Sequence, residues 1–465
     1  MPDFTYPQNQ KIKLFDEYLT KYIENKNVPS ISAGILKNNE ILWLNVKGYS
    51  DLEDGDPAGI NSLYRIASIT KPVTAVAVMQ LWEKGLIDLD KDVRFYIPEF
   101  PEKKWKFTVK QLLNHTAGIR AYKDGEFHNK KYYSSISEAV KVFEYDSLDF
   151  EPGTRYEYTS LDYSLLALVI EKVTRTTFEN YLKQNIFIPA QMKSTRVDKQ
   201  QEIVPNRVKG YEKDYERKFR NAPLADLSIK IAGGGLISTA EDLLMFAKSV
   251  LDGKIIKRTT LDFMSKQTRL KNGKLIDYGL GFALNYESDS LKSISHTGGG
   301  TGFTTMLLIY PKLNMAAVHL VNISDHNLDL PAEDLIRIEL TDKNIIPKKT
   351  LSDELMKTYL RDGIDSTITK FYLINEKEKE FINVNETESV YFAKDLLGLN
   401  KTASAIFFLR ELLKTYPKSF PVLTALADAY NNDNNQGLAL RYYRMAKQIN
   451  SNDDRVNSMI LKLTR

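Results

Sequence analysis

The chain has 465 residues, of which 43% are hydrophobic and 27% are charged, and this composition excludes collagen-like, low-complexity and wholly disordered proteins. The 64 basic and 60 acidic residues leave a net charge of +4, which gives no reason to expect a nucleic-acid partner. The sequence contains no cysteine, so disulfides, thiolate catalysis, cysteine-ligated zinc and iron–sulfur clusters are excluded. A chain of this length is expected to hold two or three domains.

No apolar run of the sequence approaches the roughly 18 residues that a helix needs to span a bilayer, so no membrane span is expected. The first ten residues, Met1 to Gln10, are polar and lack the apolar segment of a signal peptide. The expected compartment is the cytoplasm as the sequence stands, or the periplasm or extracellular space if a signal peptide has been removed.

The N-terminal region predicts one helix and a β-hairpin. Apolar residues recur at helical spacing over residues 11–26, which indicates an amphipathic helix. Two β-like runs follow, Ser30–Lys37 and Ile41–Tyr49, and Asn38-Asn39 between them is typical of a tight turn.

The next part of the chain is mostly helical in pattern. An apolar helix is predicted from about Thr70 to Lys84, and Gly85 is well placed to end it. Helical patterns continue over about residues 86–205, where Ser160–Val173 is the clearest segment.

A capping box, Ser238-x-x-Glu241, predicts the start of a further helix, which Gly253 is expected to end. β-like runs then return at Leu280–Tyr286, Lys292–Thr297, Phe303–Tyr310 and Met315–Asn322. If these strands share one sheet with the N-terminal hairpin, the fold is α/β with a helical insertion at about 86–205.

Residues 350–465 show no convincing strand pattern and contain an internal repeat. Ala405-Ile-Phe-Phe-Leu409 aligns with Ala439-Leu-Arg-Tyr-Tyr443 at an offset of 34 residues. In the same register Phe392, Ala393 and Leu396 align with Leu426, Ala427 and Tyr430. This period resembles the tetratricopeptide repeat, and the alternative is a helical bundle with chance similarity. The predicted organisation is a first domain over residues 1–348 and an all-α helical-repeat domain over residues 349–465.

Ser68-Ile-Thr-Lys71 stands at the start of the predicted apolar helix. A spacing of three places Ser68 and Lys71 on the same helix face. A serine hydroxyl becomes a useful nucleophile when a neighbour accepts its proton, and a lysine can do so only when it is neutral, which burial promotes. The pattern also arises by chance as a capping serine and a solvated lysine, but the apolar run after Lys71 indicates a buried helix and favours a catalytic pair.

Two further segments carry candidate site residues. Tyr158-Thr159-Ser160 precedes a helical segment, where the tyrosine is placed to project into the same cleft as Ser68. His296-Thr297-Gly298 follows a β-like run and leads into Gly299-Gly300-Thr301-Gly302. Successive glycines let a substrate backbone approach a strand edge closely, although a simple tight turn gives the same pattern.

These three segments, in this order and spacing, resemble the signature of the serine β-lactamase and penicillin-binding-protein superfamily, which is Ser-x-x-Lys, then Tyr-x-Asn, then Lys-Thr-Gly. Flanking segments similar to class C-like members are Leu112–Ile119, Tyr163–Glu171 and Ala232–Thr239. The resemblance covers about residues 10–325 and is closest to the class C β-lactamase-related hydrolases, which include D-aminopeptidases, esterases and the mitochondrial serine β-lactamase-like protein. It implies an antiparallel sheet flanked by helices, and the C-terminal helices resemble a repeat extension of some bacterial members.

The resemblance also implies a role for each matching residue. Ser68 is the expected acylated nucleophile, and Lys71 and Tyr158 share the general-base role. The backbone N–H groups of Ser68 and Gly299 form the expected oxyanion hole. The expected substrate-binding residues are Ser160, His296, Thr297, Gly298 and Gly299.

Two residues depart from the family pattern. Ser160 replaces the usual asparagine, so the amide that contacts a β-lactam side chain is absent. His296 replaces the usual lysine, so a group expected to titrate near neutrality replaces a fixed cation that binds a substrate carboxylate. Both changes weaken a β-lactamase or carboxypeptidase assignment, and the histidine at position 296 resembles the D-aminopeptidase and mitochondrial-like members. A further histidine, His115, is interpreted as a structural, hydrogen-bonded loop residue.

The leading hypothesis is a serine hydrolase that acts through a covalent acyl-enzyme on an amide or peptide bond, as D-aminopeptidases and peptidases do. The alternatives are an esterase, a weak β-lactamase, or a catalytically weak scaffold that binds a ligand in the hydrolase fold and a protein partner through the repeats. The expected substrate is a small peptide, amide or ester. The sequence has neither a metal-ligand spacing nor a phosphate-binding loop, so no metal and no cofactor are expected.

Overall fold

The computed structural model describes residues 8–286, 291–325 and 328–464. At its centre is a seven-stranded antiparallel sheet, arranged in the order β4-β5-β6-β7-β1-β2-β3. Its strands in chain order are β1 (Ser30–Lys37), β2 (Glu40–Asp51), β3 (Asp56–Pro57), β4 (Ala283–Tyr286), β5 (Lys292–Gly300), β6 (Phe303–Tyr310) and β7 (Met315–Val321). β1 pairs with β7, so the two predicted sets of strands do share one sheet, and the residues between them form an insertion beside it.

The turn between β1 and β2 shows why the hairpin forms where the sequence predicted it. Asn38 and Asn39 have φ angles of 50° and 67°, and asparagine tolerates this left-handed region better than most residues. Positive φ at both central residues is typical of the type I′ turn, whose twist matches that of the paired strands.

Helices cover both faces of the sheet. They are α1 (Gln8–Lys26), α2 (Thr70–Glu83), α3 (Leu161–Thr174), α4 (Ala240–Leu251) and α5 (Pro331–Thr341). Successive side chains of β1 point to opposite faces of the sheet. Ile35 packs in one apolar cluster with residues of α1 and α5, whereas Leu36 packs in a second cluster with residues of α2, α3 and α4. The sheet is therefore the middle layer of three, as the family resemblance implies.

The insertion is less helical than its pattern predicts, because its helices are short and separated by long connections. Further helices of this first region are Val109–Leu113, Ile136–Val140, Phe178–Leu182, Ile188–Ala190, Ile231–Gly234 and Arg258–Met264. Short strands are Tyr64–Arg65, Arg196–Val197, Tyr211–Lys213, Phe219–Asn221, Leu236–Ser238, Thr268–Arg269, Leu275–Ile276 and Ile323–Ser324. The predicted capping box is wrong by one residue: Ser238 ends a strand, and the side chain of Thr239 accepts the Asp242 N–H at the start of α4.

The C-terminal region is helical, with one short pair of parallel strands, Lys349–Thr350 and Ile382–Asn383, that the sequence did not predict. Its helices are α6 (Leu351–Leu373, which breaks at Gly363), α7 (Glu386–Gly398), α8 (Thr402–Thr415), α9 (Phe420–Asn432), α10 (Gln436–Ile449) and α11 (Asp454–Leu463). The aligned alanines Ala405 and Ala439 lie on α8 and α10, and both are fully buried. Their assignment to tetratricopeptide repeats stays a prediction. Among the described residues, no helix is long and apolar enough to cross a membrane.

The first region and the C-terminal region meet through ion pairs. Asp353 of α6 accepts hydrogen bonds from Lys213 at 2.8 Å and from Arg217 at 2.6 Å. The ring of Tyr215 packs against Gly398, where an added Cβ would lie 2.4 Å from it. The buried apolar residues from Leu351 onward nevertheless form a cluster of their own, and the domain boundary near residue 348 stays a prediction.

We expect a fragment of residues 1–348 to fold and to keep a reactive Ser68. Its apolar core does not depend on the C-terminal cluster, and Lys213 and Arg217 retain Asp325 as a partner when Asp353 is lost. Limited proteolysis followed by labelling with a small acylating probe measures this. Loss of both regions in one cooperative step, with no stable fragment, would contradict the boundary.

Candidate active site

Ser68 and Lys71 lie side by side at the start of α2, as their spacing predicts. Ser68 occupies a single 3-10 turn, Ala67–Ile69, and Lys71 lies in the first turn of α2. Lys71 is fully buried, and its Nζ lies 3.2 Å from the Ser68 Oγ. Ala67 has a φ of 45°, a strained value for a residue with a side chain. The strained residue directly precedes the candidate nucleophile, and strained backbone conformations are concentrated at active sites.

Two other groups hold the Lys71 amine in place. Its Nζ donates to the Gly233 carbonyl at 2.7 Å and lies 2.9 Å from the Ser160 Oγ. Ser160 immediately precedes α3, and Gly233 lies in the short helix Ile231–Gly234. The two chain segments touch, because a Cβ at Gly233 would lie 2.7 Å from the Ser160 Cβ. The position therefore requires glycine if the carbonyl is to reach the amine.

The environment of Lys71 favours its neutral form. Burial lowers the pKa of the Lys71 amine well below 10.5, the positive charge of Lys230 lowers it further, and Asp162 opposes both. A neutral amine has two N–H groups and one lone pair. Gly233 and Ser160 can take the two N–H groups, which leaves the lone pair for the Ser68 hydroxyl. The geometry is therefore suited to removing the proton of Ser68.

Tyr158 lies over the same amine, with its ring centroid 4.6 Å from the Lys71 Nζ. Its side chain is 38% exposed, yet its ring packs against that of His115, at a centroid distance of 4.5 Å. Burial raises the pKa of Tyr158 above its usual value, and the Ser68 hydroxyl opposes that rise. The phenol is therefore protonated at neutral pH, and Tyr158 and Lys71 both lie beside the Ser68 hydroxyl.

His296 lies on β5 and is only 5% exposed. Its Nδ1–H donates to the Thr297 carbonyl at 2.7 Å, which leaves Nε2 to accept from the Tyr278 hydroxyl at 3.1 Å. Burial lowers the pKa of His296 to about 3. The expectation of a histidine that titrates near neutrality is therefore wrong, because burial removes the solvation that a charged imidazole needs.

β5 presents an open edge to the cleft. β4 pairs with β5 only as far as Ser295, so beyond it no described strand covers this side. Thr297 and Gly299 are exposed on this edge, and a Cβ added at Gly299 would meet nothing within 4 Å. Gly298 does not line the cleft. A Cβ there would lie 2.4 Å from the Ile66 carbonyl oxygen, so glycine allows close packing at this position, and its contact with substrate stays a prediction.

Six of the eight predicted residues, all except Lys71 and Gly298, line one cleft of about 490 Å³. Its lining residues include Ser68, Tyr122, Phe127, Tyr156, Tyr158, Ser160, Tyr278, His296, Thr297 and Gly299. Lys71 lies behind this surface, in contact with Ser68 and Ser160. The lining contains no carboxylate and no ammonium or guanidinium group, so the cleft is aromatic and uncharged.

His115 is buried and hydrogen-bonded, as interpreted from the sequence. It has a φ of 58°, and its Nδ1 lies 2.9 Å from the Asp162 Oδ2. Burial lowers the pKa of His115 and raises that of Asp162, so an uncharged pair is favoured. Because the ring of His115 also packs on Tyr158, this pair supports the site from behind without lining the cleft.

Sequence reasoning missed several residues that the fold brings to the site. Tyr278 precedes β4 without any motif around it, and Lys230 lies in a segment that carries no signature of its own. Gly233 belongs to a segment that resembles the family, but the role of its carbonyl depends on a contact with Lys71 that only the tertiary structure supplies.

The sequence and the fold of this chain are similar to those of known proteins. The model of the Beta-lactamase family matches residues 15–341, which is more than half of the chain. Penicillin-binding protein 4* of Bacillus subtilis is 29% identical over 325 residues, which cover 66% of this chain and 70% of that protein. The mitochondrial serine beta-lactamase-like protein LACTB of Bos taurus is 24% identical over 468 residues, which cover 79% of each chain.

A similar solved structure is the D-amino acid amidase from Ochrobactrum anthropi SV3. It has a TM-score of 0.60 and 22% identity, and the match covers 72% of this chain and 99% of that one. At this identity the likeness concerns the fold. With the family match over residues 15–341, it leads to one conclusion: the chain belongs to the Beta-lactamase family, whose members are serine hydrolases.

Proposed function

We propose that this protein is a serine hydrolase that cleaves an amide or peptide bond through an acyl-enzyme on Ser68. The observation that carries the proposal is the buried Lys71 amine, 3.2 Å from the Ser68 Oγ, with Gly233 and Ser160 positioned to take its N–H groups. Such an amine can remain neutral and accept the serine proton.

The proposed reaction has two steps. The Ser68 Oγ attacks the substrate carbonyl carbon while its proton passes to Lys71, and the negative oxygen accepts hydrogen bonds from the backbone N–H groups of Ser68 and Gly299. The proton then passes through Tyr158 to the leaving nitrogen as the carbon–nitrogen bond breaks. In the second step, water gives its proton to the Lys71–Tyr158 pair and its hydroxyl to the acyl carbon. The bond between the acyl carbon and the Ser68 Oγ then breaks, the pair returns the proton to the Oγ, and the acid is released.

The character of the cleft favours an amide or peptide over a β-lactam. The carboxylate of a β-lactam lies on the side of the leaving nitrogen, and the uncharged lining beside Tyr158, with a neutral His296, offers it no cation there. The D-amino acid amidase with a similar fold supports an amide substrate with a D-residue. An esterase is the second candidate, because an uncharged aromatic cleft accepts an ester equally well and an ester has a better leaving group.

A matched set of substrates tests this proposal. It contains the coumarin amides of D-alanine and L-alanine derivatives, the corresponding ester, and a chromogenic cephalosporin. We expect Ser68-dependent hydrolysis of an amide and little turnover of the cephalosporin. Hydrolysis of the ester alone would make the protein an esterase, and no turnover of any substrate would favour the ligand-binding scaffold.

The proposed base predicts a specific dependence on pH. Lys71 must be neutral to accept a proton, so kcat/KM should fall as pH decreases through its lowered pKa. Since His296 has a pKa of about 3, it does not titrate in this range. The His296→Gln variant should therefore keep the midpoint of the acidic limb, even if the rate changes. The test is to measure kcat/KM from pH 5 to 9 for the wild type and for His296→Gln. If the fall in kcat/KM at low pH disappears in the variant, the titrating group is His296 and not Lys71.

A further inference from the structure

The cleft has two ends that share the nucleophile. The larger end is aromatic and includes Tyr158 and Tyr278. A smaller adjoining cavity of about 30 Å³ is lined by Lys230, Thr301 and neighbouring glycines. Ser68, Ser160 and Gly299 line both ends. A substrate whose reacting carbonyl lies at Ser68 therefore extends into both.

The position of the proton donor indicates which part of the substrate lies at which end. Under the proposed function, on which this inference rests, the leaving nitrogen must receive a proton, and the group that delivers it must lie within hydrogen-bond reach. Tyr158 lines the larger end and not the smaller one. The leaving group therefore lies at the aromatic end, and the acyl part of the substrate points towards Lys230.

Lys230 is a buried cation without a carboxylate partner among the described residues. It is 6% exposed, and its Nζ donates to the Phe127 carbonyl at 2.8 Å. The same Nζ lies 4.1 Å from the ring centroid of Phe127 and 5.3 Å from that of Tyr122. An ammonium group has three donors, so this arrangement leaves donors unused in a place where a charge is normally paired.

No acidic side chain lines the smaller end. The other charged residue there, Arg65, is already paired, because its Nε donates to the Asp198 Oδ2 at 2.7 Å. Burial lowers the pKa of Lys230 to about 8, which keeps most of the amine charged at pH 7. A cavity of about 30 Å³ exceeds the roughly 10–15 Å³ that one water requires and suits a carboxylate. The smaller end is therefore positive, uncompensated and of the right size for one small anion.

We infer that Lys230 binds a carboxylate on the acyl side of the substrate, so that the protein acts on amides or peptides with an acidic acyl group. A substrate with a free ammonium group at this position would bring two positive charges together in a desolvated cavity. The inference therefore favours an acidic peptide or acyl-amide over the D-aminopeptidase substrate, whose acyl side carries an amine.

Two substrates that differ only in this charge test the inference. Both are coumarin amides of D-alanine, one with an N-succinyl cap and the other with the isosteric succinamoyl cap. A charge-assisted hydrogen bond to a buried lysine should give the succinyl substrate an advantage in kcat/KM of about 10- to 100-fold. In the Lys230→Met variant, the ratio of kcat/KM for the succinyl substrate to kcat/KM for the succinamoyl substrate should fall close to 1. In the Lys230→Arg variant, part of the preference for the succinyl substrate should remain.

Lys230 also lowers the pKa of Lys71. The ratio of kcat/KM for the two substrates separates this effect from the binding of the substrate carboxylate by Lys230. A change in Lys71 alters both substrates equally and cancels in the ratio. Lys131→Met is the matched control, because Lys131 is an exposed lysine stacked on Tyr133 that lines neither end of the cleft. It should keep the wild-type ratio. Thermal unfolding by circular dichroism checks that each variant is folded.

The outcomes distinguish this inference from the proposed function. Equal turnover of both substrates by the wild type, or an unchanged ratio in folded Lys230→Met, would overturn the inference and leave the hydrolase assignment intact. If neither amide is hydrolysed by the wild type, the proposed function fails and the inference fails with it.

Discussion

Replacing Ser68 by alanine should reduce kcat/KM by at least about 10⁴-fold while the protein stays folded. The change removes the atom that attacks the carbonyl. The other hydroxyl beside the Lys71 amine, that of Ser160 at 2.9 Å, is buried and is positioned to take an N–H of the amine, so it does not replace Ser68. The loss of stability should be about 1 kcal/mol or less, because Ser68 makes no side-chain cap to its helix. Steady-state hydrolysis and thermal unfolding of the same preparation measure the two effects.

A serine outside the cleft provides the control for Ser68→Ala. Ser135 caps the helix Ile136–Val140 by accepting the Glu138 N–H, so Ser135→Ala should reduce stability by a comparable amount and leave the rate unchanged. Retained hydrolysis in a clean preparation of Ser68→Ala would remove Ser68 from the mechanism.

The second large effect concerns the pair that carries the proton. Lys71→Met and Tyr158→Phe should each reduce kcat/KM by about 10²- to 10⁴-fold. Both substitutions keep the volume of the side chain, so the aromatic packing of Tyr158 on His115 is retained. Lys71→Met should also cost about 1–3 kcal/mol of stability, because the buried Gly233 carbonyl loses its donor.

The double variant tests whether the two residues act as one unit. Groups that share a single proton transfer are strongly non-additive. The Lys71→Met, Tyr158→Phe protein should therefore be little slower than the poorer of the two single variants, when single-turnover rates are compared. If the two losses multiply, Lys71 and Tyr158 act independently and the shared role is wrong.

The sequence predicted those parts of the molecule that local pattern determines. The hairpin turn follows from two adjacent asparagines, which tolerate positive φ, and the buried α2 follows from its apolar run. The Ser68–Lys71 contact follows from helical spacing alone. The meeting of Tyr158 and β5 with this pair was reached by resemblance to a family, since no local pattern brings distant segments together.

Other features of the site depend on tertiary packing and could not be read from residue types. The residue type of His296 predicts titration near neutrality, but burial lowers its pKa to about 3. Gly298 matched a substrate-binding motif, although the alternation of β5 turns it towards Ile66. Lys230 carried no signal, because its significance comes from the carboxylate-free cavity that it lines beside Ser68.

The proposed mechanism requires a covalent acyl group on Ser68, which mass spectrometry of the intact protein can detect after brief exposure to a slowly hydrolysed acyl donor. We expect one added acyl group on the wild type, located by peptide mapping on the peptide that contains Ser68 and absent from Ser68→Ala. Hydrolysis of the donor with no adduct under rapid acid quenching, or an adduct on another residue, would rule out an acyl-enzyme on Ser68.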